Sequence, residues 1–260
     1  MQRMGIGVQL YTVRDEMEKD VEGTLRKVKA LGFDAVEFAG YFNVPAEQMR
    51  AWLDEIGLKA FSTHVDLTRL RNDLQGEIAY AKAIGVKYIP CSYIQPEDRQ
   101  NLDDWKGIVA FLKETAEEVS RHGLQFCYHN HEFEFETKFE DGKSVYETLF
   151  ETIGENDMKI ELDVCWVQYA KEDTIATIEH YAGRIPLLHA KDFKRAEDNS
   201  MITLRLGTGE VNLPAVLEAA GKAGVEWLIV EQDYCQIPPF ESIEASLNWL
   251  KENYQTKVGA

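Results

Sequence analysis

LQFCYHNHEFEFE (residues 124–136) opens as an apolar run and closes as a polar one, and its opening half recurs along the chain. With the glycine before it the run reads GLQFCYH (123–129): Gly, an apolar residue, a polar residue, then a stretch dominated by apolar side chains. GFDAVEF (32–38), GLKAFST (57–63), GVKYIPC (85–91) and GVEWLIV (224–230) share this form. DMKIELD (157–163) and RIPLLHA (184–190) keep it with the glycine replaced, and IGVQLY (6–11) supplies an eighth run at the front. The glycine suits the left-handed position that ends a helix, and a short continuous apolar run suits a strand buried on both faces.

Helical patterns fill the intervals. Residues 16–31 place Met17, Val21, Leu25, Val28 and Leu31 at spacings of three and four. Residues 45–56 start with Pro45 near the first turn and carry Met49, Trp52, Leu53 and Ile56. Residues 102–122, 143–153, 172–182, 212–223 and 241–253 behave similarly, and 73–84 forms a weaker pattern with Ile78, Ala81 and Ile84. Strands that alternate with helices are parallel. Eight such units, with no Pro/Gly/Ser-rich linker between them, predict an α/β protein with a closed (β/α)₈ TIM barrel as a single domain over residues 1–260. An open doubly wound sheet is the alternative.

Composition narrows the function. The chain is 45% hydrophobic and 28% charged, which is globular and long enough to bury a large core. Its net charge of −17 argues against a nucleic-acid partner, because such binding relies on Lys and Arg to neutralise phosphates. Cys91, Cys127, Cys165 and Cys235 form no C-x-x-C pair and read as reduced thiols in or beside buried strands. The N-terminal MQRMGIGVQLYTV lacks the apolar region and cleavage site of a signal peptide, and no apolar run reaches membrane-spanning length. A cytoplasmic location without membrane association is expected.

In a barrel of this kind the active site lies at the C-terminal ends of the strands. Those ends carry chemistry here: Glu37; His64 and Asp66; His129, His131 and Glu134; Asp163; His189, Lys191 and Asp192; Glu231 and Asp233. Four of the six histidines fall on this face; His122 and His180 fall at helix C-termini, where an imidazolium suits the helix dipole. His129 and His131 are two residues apart and so share a strand face. Asp163, His189 and Glu231 come from three successive strands, and mixed carboxylate and imidazole ligands suit Mn, Co, Zn or Mg. A fourth ligand is expected from the fifth strand.

IELDVCW (160–166), LLHAKDF (187–193), LGTGEVNLPAVL (206–217) and IVEQD (229–233), with YHNHEFEF (128–135) before them, resemble the xylose isomerase-like TIM-barrel superfamily of sugar isomerases and epimerases. That superfamily also contains inosose dehydratases and apurinic-site endonucleases. The resemblance covers essentially the whole chain. It implies a divalent metal held by a Glu after the fifth strand, an Asp after the sixth, a His after the seventh and a Glu after the eighth. Asp163, His189 and Glu231 match three of these. The chain departs at the fifth strand, where His129 stands at the Glu position; Glu134 is the expected fourth ligand, with His129 as the competing assignment. The resemblance also admits a homodimer or higher homo-oligomer.

The residues fit proton transfer on a hydroxy-carbonyl sugar. His131 is the expected base, with His129, Glu231 and Lys191 as further catalytic groups. Glu37 and His64 are expected to bind sugar hydroxyls, and Arg205 an anionic group of the substrate. The Gly207-Thr208-Gly209 turn could offer backbone N–H groups to a small anion. Gly5-Ile6-Gly7 is read as preceding the first strand, so it is no dinucleotide fingerprint. Tyr11, Phe133, Phe135, Trp166, Phe193 and Tyr234 are aromatics near the site. The expected activity is a metal-dependent sugar isomerase or epimerase working through an enediolate. The alternatives are a keto-sugar or keto-inositol dehydratase on the same metal site, and a non-catalytic binding protein.

Overall fold

Each glycine-led run becomes a strand, and each periodic interval a helix. The computed structural model describes residues 3–255. The first half contains β1 (Gly5–Gln9), α1 (Arg14–Lys19), α2 (Val21–Leu31), β2 (Ala35–Phe38), α3 (Ala46–Ile56), β3 (Lys59–Thr63), α4 (Leu67–Ile84), β4 (Tyr88–Cys91) and α5 (Leu102–Arg121). The middle contains β5 (Gln125–His129), α6 (Phe133–Glu136), α7 (Val145–Thr152), β6 (Met158–Asp163), α8 (Val164–Tyr169), α9 (Thr174–His180) and β7 (Leu187–Ala190). The rest contains a hairpin, β8 (Asp192–Arg195) and β9 (Met201–Leu204), then α10 (Leu213–Ala223), β10 (Trp227–Val230) and α11 (Pro239–Leu250).

The eight long-range strands close into a parallel barrel in the order β1-β10-β7-β6-β5-β4-β3-β2. The closing pair aligns Gly7 with Ile229 and Val8 with Val230. The repeat glycines end helices as the sequence predicts: Gly57 (φ 69°) stops α3 and Gly224 (φ 85°) stops α10, each donating its N–H back to the last turn. The hairpin β8–β9 pairs antiparallel outside the barrel, Asp192 opposite Leu204. Among the described residues no helix is long and apolar enough to cross a membrane.

Three local expectations are corrected. Residues 16–31 form two helices, because Asp20 takes an extended conformation and its carboxylate caps α2 at the Gly23 N–H. The weak pattern at 73–84 is the second part of a helix that starts at Leu67 under an Asp66 cap and kinks at Asp73. Gly5 and Gly7 lie inside β1, not before it. A Cβ at Gly5 would meet the Trp227 ring at 2.5 Å, and one at Gly7 would meet Phe61 at the same distance. The two rings stack at 4.4 Å, so the glycines make room for them.

Two apolar clusters result. The larger packs the outward faces of the strands against the helices, with Val36, Phe38, Ile89, Phe126, Leu162 and Val230 among its members. The smaller comprises Ala35, Phe61, Tyr88, Cys127, Leu187 and Ile229, with Trp227 against it. Ala35, Cys127, Leu187 and Ile229 each lie two residues before Glu37, His129, His189 and Glu231. Side chains two apart share a strand face, so an apolar layer inside the barrel supports a polar one above it.

Candidate active site and metal centre

The polar layer sits at the C-terminal ends of the strands, beneath a cavity of about 580 Å³. Tyr11, Tyr93, Phe133, Trp166 and Tyr234 give the cavity an aromatic wall. Its polar lining includes His64, Asp66, His129, His131, Glu231 and Asp233. Met201 and Thr203 of the hairpin complete one side. This volume suits a small-molecule ligand.

Asp163, the last residue of β6, is fixed twice. Its Oδ1 accepts the N–H groups of Cys165 (2.9 Å) and Trp166 (3.1 Å) and so caps α8. Its backbone is clamped to β5 by Asn130, whose amide donates to Asp163 O (3.1 Å) and accepts from Asp163 N (3.0 Å). Oδ2 is left buried with no hydrogen bond. It lies 3.0 Å from Lys191 Nζ and 3.9 Å from His129 Nε2. Lys191 is fully buried and also stands 2.8 Å from Glu231 and 2.9 Å from Asp233. These contacts are ionic, without the alignment of hydrogen bonds. Burial opposes the ammonium, yet Asp163, Asp233 and Glu231 hold its pKa well above the usual lysine range.

His129, Asp163, His189 and Glu231 place one nitrogen or oxygen each within 4.8 Å of one another, all buried. A second group, His64, His129, Glu161 and His189, reaches deeper through Glu161, two residues before Asp163 in β6. His129 Nδ1 lies 3.0 Å from Glu161 Oε2. His189 Nδ1 lies 2.8 Å from Glu231, and its Nε2 2.9 Å from Glu37. Burial disfavours the His189 imidazolium, but Glu161 and Glu231 outweigh it and raise its pKa. Burial and the Glu161 charge push Glu37 up to about 7. The upper group fits a divalent ion. It offers two imidazoles and two carboxylates, a buried Asp163 oxygen without a hydrogen bond, and one ammonium against three carboxylates.

The residues anticipated from sequence are placed as follows. Asp163, His189 and Glu231 come together, with His129 as the fifth-strand member. Glu134 does not join them: it lies in α6, accepting from the Tyr128 hydroxyl (2.7 Å) and the His131 N–H (2.8 Å). β5 ends at His129, and the turn into α6 carries Glu134 away. Burial pushes its carboxyl up to about 7. His131 stays on the site side, its ring 5.2 Å from that of His129 and stacked on Phe133 at 5.4 Å, with Nδ1 unpartnered. Burial, reinforced by His129 and Lys191, holds its pKa well below the usual range. His64 lines the cavity, whereas Glu37 and Lys191 are buried beneath it. Arg205 is exposed on the chain after β9 and is not part of the cavity wall. Phe135 and Phe193 pack in the outer core.

The glycine turn at 207–209 does bind an anion, but an internal one. The N–H groups of Gly207 (3.0 Å), Gly209 (2.8 Å) and Val211 (3.1 Å) all donate to the Asp192 carboxylate. Glu161 and Asn130 were not anticipated. Glu161 lies two residues before Asp163 on the inward face of β6, so strand periodicity carried the signal. Asn130 stands between two histidines, and nothing in its spacing marks it.

The xylose isomerase-like TIM barrel family model matches residues 25–253. No curated protein sequence matches the chain. Among solved structures it is similar to a sugar phosphate isomerase/epimerase from Parabacteroides distasonis, 22% identical over 95% of this chain and 97% of that one, with a TM-score of 0.79. It is similar to an L-ribulose 3-epimerase, 18% identical over 97% and 95% (TM-score 0.73). It also resembles an IolI protein solved with a zinc atom, 15% identical over 97% and 99% (TM-score 0.78). At such identities these structures share the fold with this chain, and the family match spans most of its length: the chain belongs to the xylose isomerase-like TIM barrel family.

Proposed function

We propose that the chain is a divalent-metal-dependent isomerase or epimerase of a hydroxy-carbonyl sugar. The observation that carries this reading is the upper group of His129, Asp163, His189 and Glu231 at the base of a cavity walled by aromatics and His131. Those four residues would hold the metal, with His129 taking the place foreseen for Glu134. Mn, Co, Zn or Mg held there supplies Lewis-acid polarisation of the substrate carbonyl.

The chain's own residues do the rest. His131 lines the cavity, and burial keeps its imidazole in the neutral form that a base needs to take the α-proton. Loss of that proton leaves an enediolate. Its return to the neighbouring carbon isomerises the sugar, and its return to the opposite face epimerises it. Lys191 does not line the cavity; it balances the charge of Asp163, Glu231 and Asp233 from below. The aromatic wall offers faces to the C–H side of a sugar ring. A dehydratase reading is favoured by one observation: Glu132 lines the same cavity with its pKa raised by burial, a proton donor for a departing hydroxyl.

Metal analysis of the purified protein, with deuterium exchange from D₂O into ketoses and keto-inositols, tests the reading. One equivalent of metal with exchange into recovered sugar supports it, and exchange with an unsaturated product selects the dehydratase. Asp163→Asn is expected to lose the metal and about a hundred- to thousandfold in turnover. Unchanged metal content in that variant would remove Asp163 from the ligand set.

A further inference from the structure

Two groups of potential ligands share His129 and His189, and the ring nitrogens of His129 separate the roles of the two layers. His129 directs Nδ1 down to Glu161 (3.0 Å) and places Nε2 3.9 Å from Asp163. His189 sets Nε2 2.9 Å from Glu37 and Nδ1 2.8 Å from Glu231. A neutral imidazole has one N–H and one lone pair, and an ionised carboxylate only accepts. Both nitrogens of His189 meet carboxylates, but His129 has one within hydrogen-bond distance: Glu161 takes its Nδ1–H and leaves the Nε2 lone pair toward Asp163. That is the tautomer a metal ligand in the upper group requires.

We infer that Glu161 is a positioning residue that fixes the tautomer of His129 for a metal in the upper group, and that the deeper group is not itself a metal site. The inference rests on the metal reading proposed above.

The deeper layer is built for this task. Glu161 and Glu37 are both fully buried and absent from the cavity wall. Gln9 fixes Glu37: its Oε1 accepts the Tyr11 N–H (3.0 Å), so its Nε2 must donate, and it does so to Glu37 Oε1 (2.8 Å). His64 closes the belt, with Nε2 2.5 Å from Glu161 Oε2 and 3.2 Å from Glu37 Oε1. Its ring stacks parallel to His189 at 5.4 Å, which holds the lower carboxylates and the upper ligand in one packed unit. An ion in the deeper group would need the His129 lone pair on Nδ1, turned away from Asp163. Carboxylate partners of metal-bound imidazoles set ring orientation and basicity, and losing one weakens metal binding about ten- to a hundredfold.

The test is Co(II) titration followed by visible absorption, with ¹⁵N NMR of the metal-free full chain. The wild type is expected to bind one ion and, metal-free, to carry the His129 proton on Nδ1. This tautomer measurement needs no variant to fold. Glu161→Gln is expected to bind one ion about ten- to a hundredfold more weakly and, metal-free, to show mixed His129 tautomers. Two ions in the wild type and one in Glu161→Gln would make the deeper group a metal site and overturn the inference. Wild-type affinity and His129 tautomer in that variant would overturn it while leaving the metal reading intact. A wild type that binds no divalent ion would overturn both.

Discussion

The lower and upper layers of the barrel interior come from the same strands, two residues apart, and their chemistry is opposite. Ala35, Cys127, Leu187 and Ile229 fill the lower layer with apolar volume around the stacked Phe61 and Trp227. Glu37, His129, His189 and Glu231, directly above, bring carboxylates and imidazoles into an equally buried layer. The lower layer stabilises the barrel by removing apolar surface from water. The upper layer carries a desolvation cost for each charge, offset only as far as its partners reach. The contrast teaches that depth in this barrel does not separate core from site. Register does, because one step of two residues along a strand changes the task of a side chain without changing its burial.

The division predicts that stability and chemistry can be damaged separately. Phe61 is buried and stacked inside the barrel, so Phe61→Ala is expected to cost about 3–5 kcal/mol in denaturant unfolding. The folded fraction should keep its metal stoichiometry. A Phe61→Ala protein with wild-type stability but lost metal would join the two layers into one unit and break the contrast.

Lys191→Met probes the upper layer in the same units. The lysine is the ammonium facing Asp163, Glu231 and Asp233, and its removal leaves three neighbouring carboxylates without a counter-charge. The metal-free variant is expected to lose about 3–5 kcal/mol. Added divalent ion should stabilise the variant more than the wild type, because the ion restores positive charge. Equal stabilisation of both would show that Lys191 is not a counter-charge to the ligand set. Below this in size comes Gly7→Ala, whose new methyl would press on the Phe61 ring at 2.5 Å. Over-packing here is expected to cost about 1–3 kcal/mol by thermal unfolding, with turnover per folded molecule unchanged.

The barrel was legible because its signals are local and repeated. Gly57 and Gly224 mark helix ends, and seven further runs like 124–129 mark strands. Alternation along β5, β6 and β7 put His129, Asp163 and His189 on one inward face. Two parts of the site were illegible for a different reason. Glu134 keeps the composition expected of a ligand, but the chain leaves the extended conformation after His129, and the two-residue rule stops with it. The turn at 207–209 has the N–H groups of an anion cradle, yet its anion is Asp192, paired with it only once the hairpin β8–β9 forms. The same rule that found Asp163 reaches Glu161. What hid Glu161 was its position inside the strand rather than at the end, where chemistry is sought in such barrels.

The smallest expected effect tests where the site stops. Arg205 stands directly before the LGTGEV turn, which made it a candidate for an anionic substrate group. In the fold it is exposed, and its backbone carbonyl accepts the Thr208 hydroxyl (2.7 Å) within the turn. Arg69 is the arginine on the cavity wall, and it is held by Glu77 through two hydrogen bonds of 2.9 and 2.8 Å. An exposed side chain outside the cavity contributes little to either layer. Arg205→Ala is therefore expected to change stability by no more than about 0.5 kcal/mol and KM by no more than about twofold. Measured with the sugar found by D₂O exchange, a tenfold rise in KM with kcat unchanged would mean that the hairpin and its following turn close over bound substrate. The boundary of the site would then be drawn by motion of the β8–β9 hairpin, not by the static register that divides the two layers beneath it.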